Sequence, residues 1–122
     1  MVETTRYRLV IADGLGHGTM ARDAALAAVE GAGRGPESPS RALEESHRAS
    51  LGTRGAAVAV ADVDLDGGTV RYAGIGNISG LLIDGARTRN MVSISGTVGQ
   101  VAASRWPLTS SLMVGGPSRP SP

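Results

Sequence analysis

The chain has 122 residues, 41% hydrophobic and 19% charged, with a formal net charge of +1. That length and composition suit one globular domain with a modest core, and the charge gives no electrostatic case for nucleic acid or a membrane surface. Cysteine is absent, which excludes disulfides, thiolate catalysis and cysteine-based zinc sites.

Aromatic residues make up only 2% and Phe is missing, so the core must be built from Val, Leu, Ile and Ala. All 12 basic residues are Arg, a pattern of GC-rich coding rather than of phosphate recognition. No apolar run reaches the roughly 20 residues that span a bilayer. Residues 1–5 lack the basic and apolar regions of a signal peptide. The expected location is cytoplasmic.

In chain order, residues 6–13 read as a strand. Tyr7 and Leu9 alternate with Arg6 and Arg8, and Val10-Ile11-Ala12 then run without a break into Asp13. Gly14, Gly16 and Gly18, with His17 between the last two, form a turn. Residues 19–31 form an alanine-rich helix, with Asp23 near its start to suit the dipole and glycines 31, 33 and 35 and Pro36 to stop it. Ser38-Pro39 predicts a cap and a first helical proline. A second helix follows over 40–51, with Leu43, His47 and Leu51 on one face and a Glu44–Arg48 pair on the wet side. Residues 54–64 form a strand whose small apolar run, Ala56 to Ala61, suits cover on both faces. A hairpin turn at 64–68 leads into a return strand over 69–77. Leu81 to Ile83 and Thr88 to Ser95 form a second hairpin around Asp84-Gly85. Strands in meander order predict antiparallel pairing, and the two consecutive helices make the fold class α+β rather than a series of βαβ units. From about Gln100 the sequence becomes serine- and proline-rich around the short apolar patch Leu112-Met113-Val114. The expected division is a domain over 1–100 and a divergent, disordered tail over 101–122.

Asp13 draws attention first. A carboxylate at a strand end, followed by a glycine with an unobstructed carbonyl, presents two adjacent oxygens to a hard divalent cation. On spacing alone, capping of the next turn or helix is the stronger reading, because one carboxylate does not make a site. The glycines resemble a dinucleotide fingerprint, but the third comes one residue early and no parallel strand follows. A Walker-type loop is excluded by the absence of Lys. Asp62, Asp64 and Asp66 before Gly67 resemble the opening of a calcium loop. The twelfth position is Ala73, where that loop needs a glutamate, so a hairpin turn is the better reading. His17 reads as a solvated loop residue and His47 as part-buried packing. No serine sits on a nucleophile elbow.

Four blocks together resemble the metal-dependent PPM-type protein phosphatases, in the branch of the stage II sporulation E-like and RsbX-like enzymes. They are Val10-Ile11-Ala12-Asp13-Gly14-Leu15-Gly16-His17-Gly18, Gly52-Thr53-Arg54-Gly55-Ala56-Ala57, Tyr72-Ala73-Gly74-Ile75-Gly76-Asn77-Ile78-Ser79-Gly80 and Gly96-Thr97-Val98-Gly99. The resemblance implies an αββα sandwich of antiparallel sheets flanked by helices. It implies two Mn²⁺ or Mg²⁺ ions that bind phosphate and generate the attacking hydroxide. Asp13 would be the catalytic carboxylate that bridges them, the Gly14 carbonyl would bind one ion, and Gly16, His17, Gly18, Asn77 and Thr97 would lie along the rim. The implied substrate is a phosphoserine or phosphothreonine in a STAS-domain regulator of bacterial stress signalling. The family's upstream acid is not matched by Glu3, and no acid follows Asp84 where the family carries a C-terminal Asp-Gly pair. The expectation is therefore a domain truncated at both ends with weak or absent turnover. The alternative is a non-catalytic module of the same fold that binds a regulator.

Overall fold

Alternation along the first strand decides the layering. The computed structural model describes residues 4–34 and 38–99 and, in backbone, 112–115. Strand β1 (Arg6–Gly14) turns Arg8, Val10, Ala12 and Gly14 inward and leaves Tyr7, Leu9, Ile11 and Asp13 exposed. Period-two alternation puts these sets on opposite faces. Helices α1 (Thr19–Arg34) and α2 (Pro39–Ala49) pack on the inward face.

The remaining strands are β2 (Ala56–Asp64), β3 (Thr69–Ile75), β4 (Gly80–Asp84), β5 (Arg87–Met91) and β6 (Leu112–Gly115). The main sheet runs β1-β2-β3-β6 and every pairing in it is antiparallel. Strands β4 and β5 form a separate antiparallel hairpin. The helix-side core joins Ala28, Ala32, Ala42 and Leu43 to Val58, Val60, Ala73, Ile75 and Val98. On the other face Met91 and Leu82 of the hairpin pack against Ala59 and Tyr72, and the Tyr72 hydroxyl lies 2.9 Å from Ser93 Oγ. The result is the expected α+β layout of antiparallel sheets with helices outside. Both faces of β2 are covered, and Ala56 to Val60 are buried, as their unbroken small side chains required. Beyond the hairpin, Tyr7, Leu9 and Ile11 remain 48%, 59% and 62% exposed, so the second layer covers only part of this face. No helix among the described residues is long and apolar enough to cross a membrane.

Several local expectations change. The meander breaks after β3, because the chain leaves the main sheet at Gly76 (φ +101°) and begins a new one at Gly80. Helix α1 continues through Gly31 to Arg34. Gly31 does not stop the helix but lets α2 approach. A Cβ there would lie 2.5 Å from the Glu45 carbonyl oxygen and 2.6 Å from the Ala49 Cβ. Asp23 falls beyond the first turn of α1, which carries no acid, so it does little for the dipole. In α2 the Ser38 cap is present, with its hydroxyl accepting from the Arg41 N–H. Arg48 pairs with Glu45 at 2.9 Å rather than with Glu44. The helix ends at Ala49, which leaves Leu51 past its end and 54% exposed. Leu112–Gly115, the apolar patch of the expected tail, pairs with Thr69–Tyr72 of β3. The rest of that tail, 101–111 and 116–122, lies outside the described residues.

Close helix packing makes an opposed pair of predictions. Gly31→Ala should destabilise the protein by about 1–3 kcal/mol through overpacking against α2. Gly33, two residues on, has nothing within 4 Å of its missing Cβ, so Gly33→Ala should stabilise it by about 0.5–1 kcal/mol. Urea unfolding of both variants checks the signs.

Candidate functional site

The register of β1 on β2 places Gly14 opposite Ala56 and Asp13 opposite Ala57. Ala57 is buried on the hairpin side, and one strand further on Gly76 lies against it. A Cβ on Gly76 would be 2.7 Å from the Ala57 Cβ and 3.2 Å from the Gly96 carbonyl oxygen. Val98 and Ala56 exchange two backbone hydrogen bonds, at 3.0 and 3.2 Å. The Gly76 N–H donates to the Ile94 carbonyl at 2.8 Å. One end of the sheet therefore gathers the Asp13 end of β1, the start of β2, the Gly76-Asn77 exit from β3 and the Gly96 to Val98 segment. Asp13 and Asn77 are exposed there and Thr97 is half-buried.

Asp13 does not cap. No described side-chain hydrogen bond or ion pair involves its carboxylate, so the oxygens face solvent. The stronger reading from spacing alone, a capping role, is not what the geometry shows. The three glycines of the loop have three separate causes. Gly14 ends β1 against α1, where a Cβ would strike the Ala21 carbonyl oxygen. Gly16 adopts φ +80°, and the Arg54 guanidinium lies over the place its Cβ would occupy. Gly18 adopts φ +82° and its carbonyl accepts the Arg22 N–H at 3.1 Å, starting α1. The Leu15 N–H is spent on the Gly55 carbonyl at 2.9 Å. Antiparallel pairing of β1 removes the dinucleotide-binding arrangement, which needs a parallel neighbour. His17 is exposed on the same loop, and no described hydrogen bond involves it.

Two of the three aspartates around the β2–β3 turn, Asp62 and Asp64, are occupied. Arg8 makes a paired contact with Asp62 through Nε at 2.7 Å and Nη2 at 2.8 Å, and its Nη1 donates to the Ala32 carbonyl. Asp64 accepts the Gly67 N–H at 3.0 Å. They form a hairpin turn braced to the sheet, not a cation loop.

Two residues gain roles that spacing did not reveal. Arg54 leans across the Gly16 loop, with Nη2 3.6 Å from Met20 Sδ. His47 accepts the Gly99 N–H on Nδ1 at 2.9 Å. Its pKa is held below the usual histidine value, first by burial and then by the neighbouring Arg48 charge. Both contacts cross more than 30 positions of sequence, so no local pattern could signal them.

No known protein family matches the chain by sequence, and no curated protein does. Solved structures do match. One, from a study of the bacterial stressosome as a modular system adapted to control secondary messenger signalling, has 24% identity and a TM-score of 0.78 over 93% of this chain. RsbX in complex with magnesium has 18% identity and a TM-score of 0.77 over 95%. A stage II sporulation E family protein from Thermanaerovibrio acidaminovorans has 26% identity and a TM-score of 0.62 over 75%. The fold is that of the RsbX/SpoIIE-like PPM phosphatases. The chain spans 57% of the length of the first two structures and 50% of the third.

A divalent cation suits the donors at this rim only in part. Asp13 and the adjacent Gly14 backbone offer a carboxylate and a carbonyl, both hard oxygens. Among the described residues no three His, Cys, Asp or Glu side chains gather as a metal cluster. Among the described residues these donors do not complete a two-metal centre.

The rim makes a stability contrast. Asp13→Ala should change folding stability by no more than about 0.5 kcal/mol, as for an exposed side chain without partners. Gly14→Ala should cost about 1–3 kcal/mol by overpacking against α1. Thermal unfolding of the two variants checks this. A large loss in Asp13→Ala would restore the capping role.

Proposed function

We propose that this chain is part of a PPM-type protein phosphatase, acting on phosphoserine or phosphothreonine of a STAS-domain signalling regulator. The observation that carries the reading is the solvent-facing Asp13 at the sheet rim, beside Gly14, in a fold shared with RsbX. In this reading Asp13 and the Gly14 carbonyl hold a divalent cation, Mn²⁺ or Mg²⁺. The RsbX structure is described as a complex with magnesium, which supports that choice. Such an ion would supply charge neutralisation at the phosphate and an activated water.

This chain's own residues do the rest. Asp13 keeps its oxygens unspent on internal partners. Gly14 admits no side chain, so the strand end stays tight against α1 and holds the Asp13 backbone at the rim. Asn77 and Thr97 lie at the same end of the sheet, across Ala57. The stressosome and RsbX neighbours favour a regulator of bacterial signalling as the substrate. The lack of a three-residue cluster among the described side chains favours a second reading, a non-catalytic module that binds the regulator.

Phosphate release from a phosphoserine STAS-domain protein tests both. The phosphatase reading predicts slow, Mn²⁺-dependent release. Asp13→Ala should lower it by more than the roughly 10–100-fold that loss of a supporting group costs. Release that persists in Asp13→Ala would overturn the reading. No release, with the regulator still retained in excess chelator, would establish the second.

A further inference from the structure

The contact between His47 and Gly99 ties two separate parts of the fold together. His47 lies in the last turn of α2. Gly99 closes the segment that carries Gly96 and Thr97 along the rim. It is buried, adopts φ +87°, and lies so close to the helix end that a Cβ would be 2.6 Å from the Ser50 carbonyl oxygen. Its N–H points at His47 Nδ1 at 2.9 Å. An imidazole nitrogen accepts only while it carries no proton, so the contact requires the neutral ring with its proton on Nε2. One residue earlier, Val98 pairs with Ala56, and Ala56 pairs in turn with Gly14.

We propose that His47 is a positioning residue whose neutral imidazole clasps the Gly96–Gly99 segment to α2, so that acidification releases this side of the rim. Protonation turns Nδ1 from acceptor to donor and leaves the buried Gly99 N–H facing a donor. A buried donor without its acceptor is costly, and the segment must move to regain one.

Among the described residues, burial and the Arg48 charge oppose the charged form. The buried core that α2 shares with α1, β2 and β3 is, among these residues, wholly apolar, from Ala28 and Ala32 to Val58 and Ile75, and none of it ionises. Ser95 to Gly99 contribute no ionisable side chain. On α2 itself, Arg48 disfavours the imidazolium. Glu44 lies one turn back, and Glu45 is paired with Arg48. Arg54, on the loop that follows, contacts Met20. Because the folded pKa lies below the unfolded one, the folded state binds fewer protons between them. Stability is therefore full above the unfolded value of 6.5 and is lost as the pH falls through the folded value.

The tether does not depend on the phosphatase reading; only its consequence for turnover rests on that reading. The test is amide hydrogen exchange, read as protection factors at Gly99 and Val98 between about pH 8 and about pH 5. Three proteins are compared: wild type, His47→Asn and His47→Ala. The Asn Oδ1 sits where Nδ1 sits and cannot titrate. Wild-type Gly99 should lose roughly tenfold in protection across this range. His47→Asn should hold its protection at every pH, and His47→Ala should lack it at every pH. Imidazole nitrogen shifts should report the Nε2–H tautomer near neutrality. Constant wild-type protection while His47 titrates would overturn the proposal. So would a His47→Asn response matching wild type, or an Nδ1–H tautomer. In Asp13→Ala the Gly99 response should persist, so failure of the phosphatase reading is recognised separately.

Discussion

The pairing of Asp13 with Ala57 across the β1–β2 ladder determines what stands at the end of the sheet. Side chains alternate strictly along a strand, so a slip of one residue would exchange its faces. Asp13 would then turn toward α1, where Gly14 already meets the Ala21 backbone. Arg8 and Asp62 help fix the register at the other end, where their paired contact spans the two strands and reaches the Ala32 carbonyl at the end of α1. Arg8 and Asp62 face each other directly across the ladder, so a slip of one residue would separate them. With the register set, Gly76 lies against Ala57, and Val98 pairs with Ala56 through backbone hydrogen bonds while its side chain enters the helix-side core.

A core without phenylalanine imposes close approach. Alanine and glycine cannot fill wide gaps, so the helices must lie near the sheet and near each other to reach normal packing density. Ala24, Ala28 and Ala32 are fully buried along one stripe of α1, and Gly31 lets α2 settle beside it. Ser46, also fully buried, donates to the Ala28 carbonyl at 2.8 Å and fixes the crossing. The same tightness brings the end of α2 within reach of Gly99, which is how a helix remote from Asp13 in sequence comes to brace the rim.

Much of this architecture was legible in the sequence. Alternation from Arg6 into an apolar run marks β1, the Ser38-Pro39 start marks α2, and the unbroken run Ala56 to Ala61 marks a doubly covered strand. Local patterns of hydrophobicity and capping carry such information directly. Glycine is less legible. The sequence cannot distinguish a glycine that ends a helix from one that admits a neighbour, because the difference lies in what packs against it. Gly31 is the second kind. The break between β3 and β4 was missed for a similar reason, since a glycine at positive φ can turn a strand out of its sheet without interrupting the apolar pattern. At the rim, Asp13 and Gly14 were legible from their place after the strand. The Arg54 cover of Gly16 and the His47 clasp were not, because they are contacts between distant segments.

In the proposed function a divalent cation binds the oxygens of Asp13 and Gly14 rather than the aspartate-rich turn after β2. Substoichiometric Mn²⁺ added to isotopically labelled protein tests it, read as paramagnetic broadening of individual amide resonances. Binding at the rim should broaden Asp13, Gly14, Gly76, Asn77 and Thr97 selectively, and the broadening should vanish in Asp13→Ala. Broadening centred on Asp62, Asp64 and Asp66, or unchanged in that variant, would contradict it.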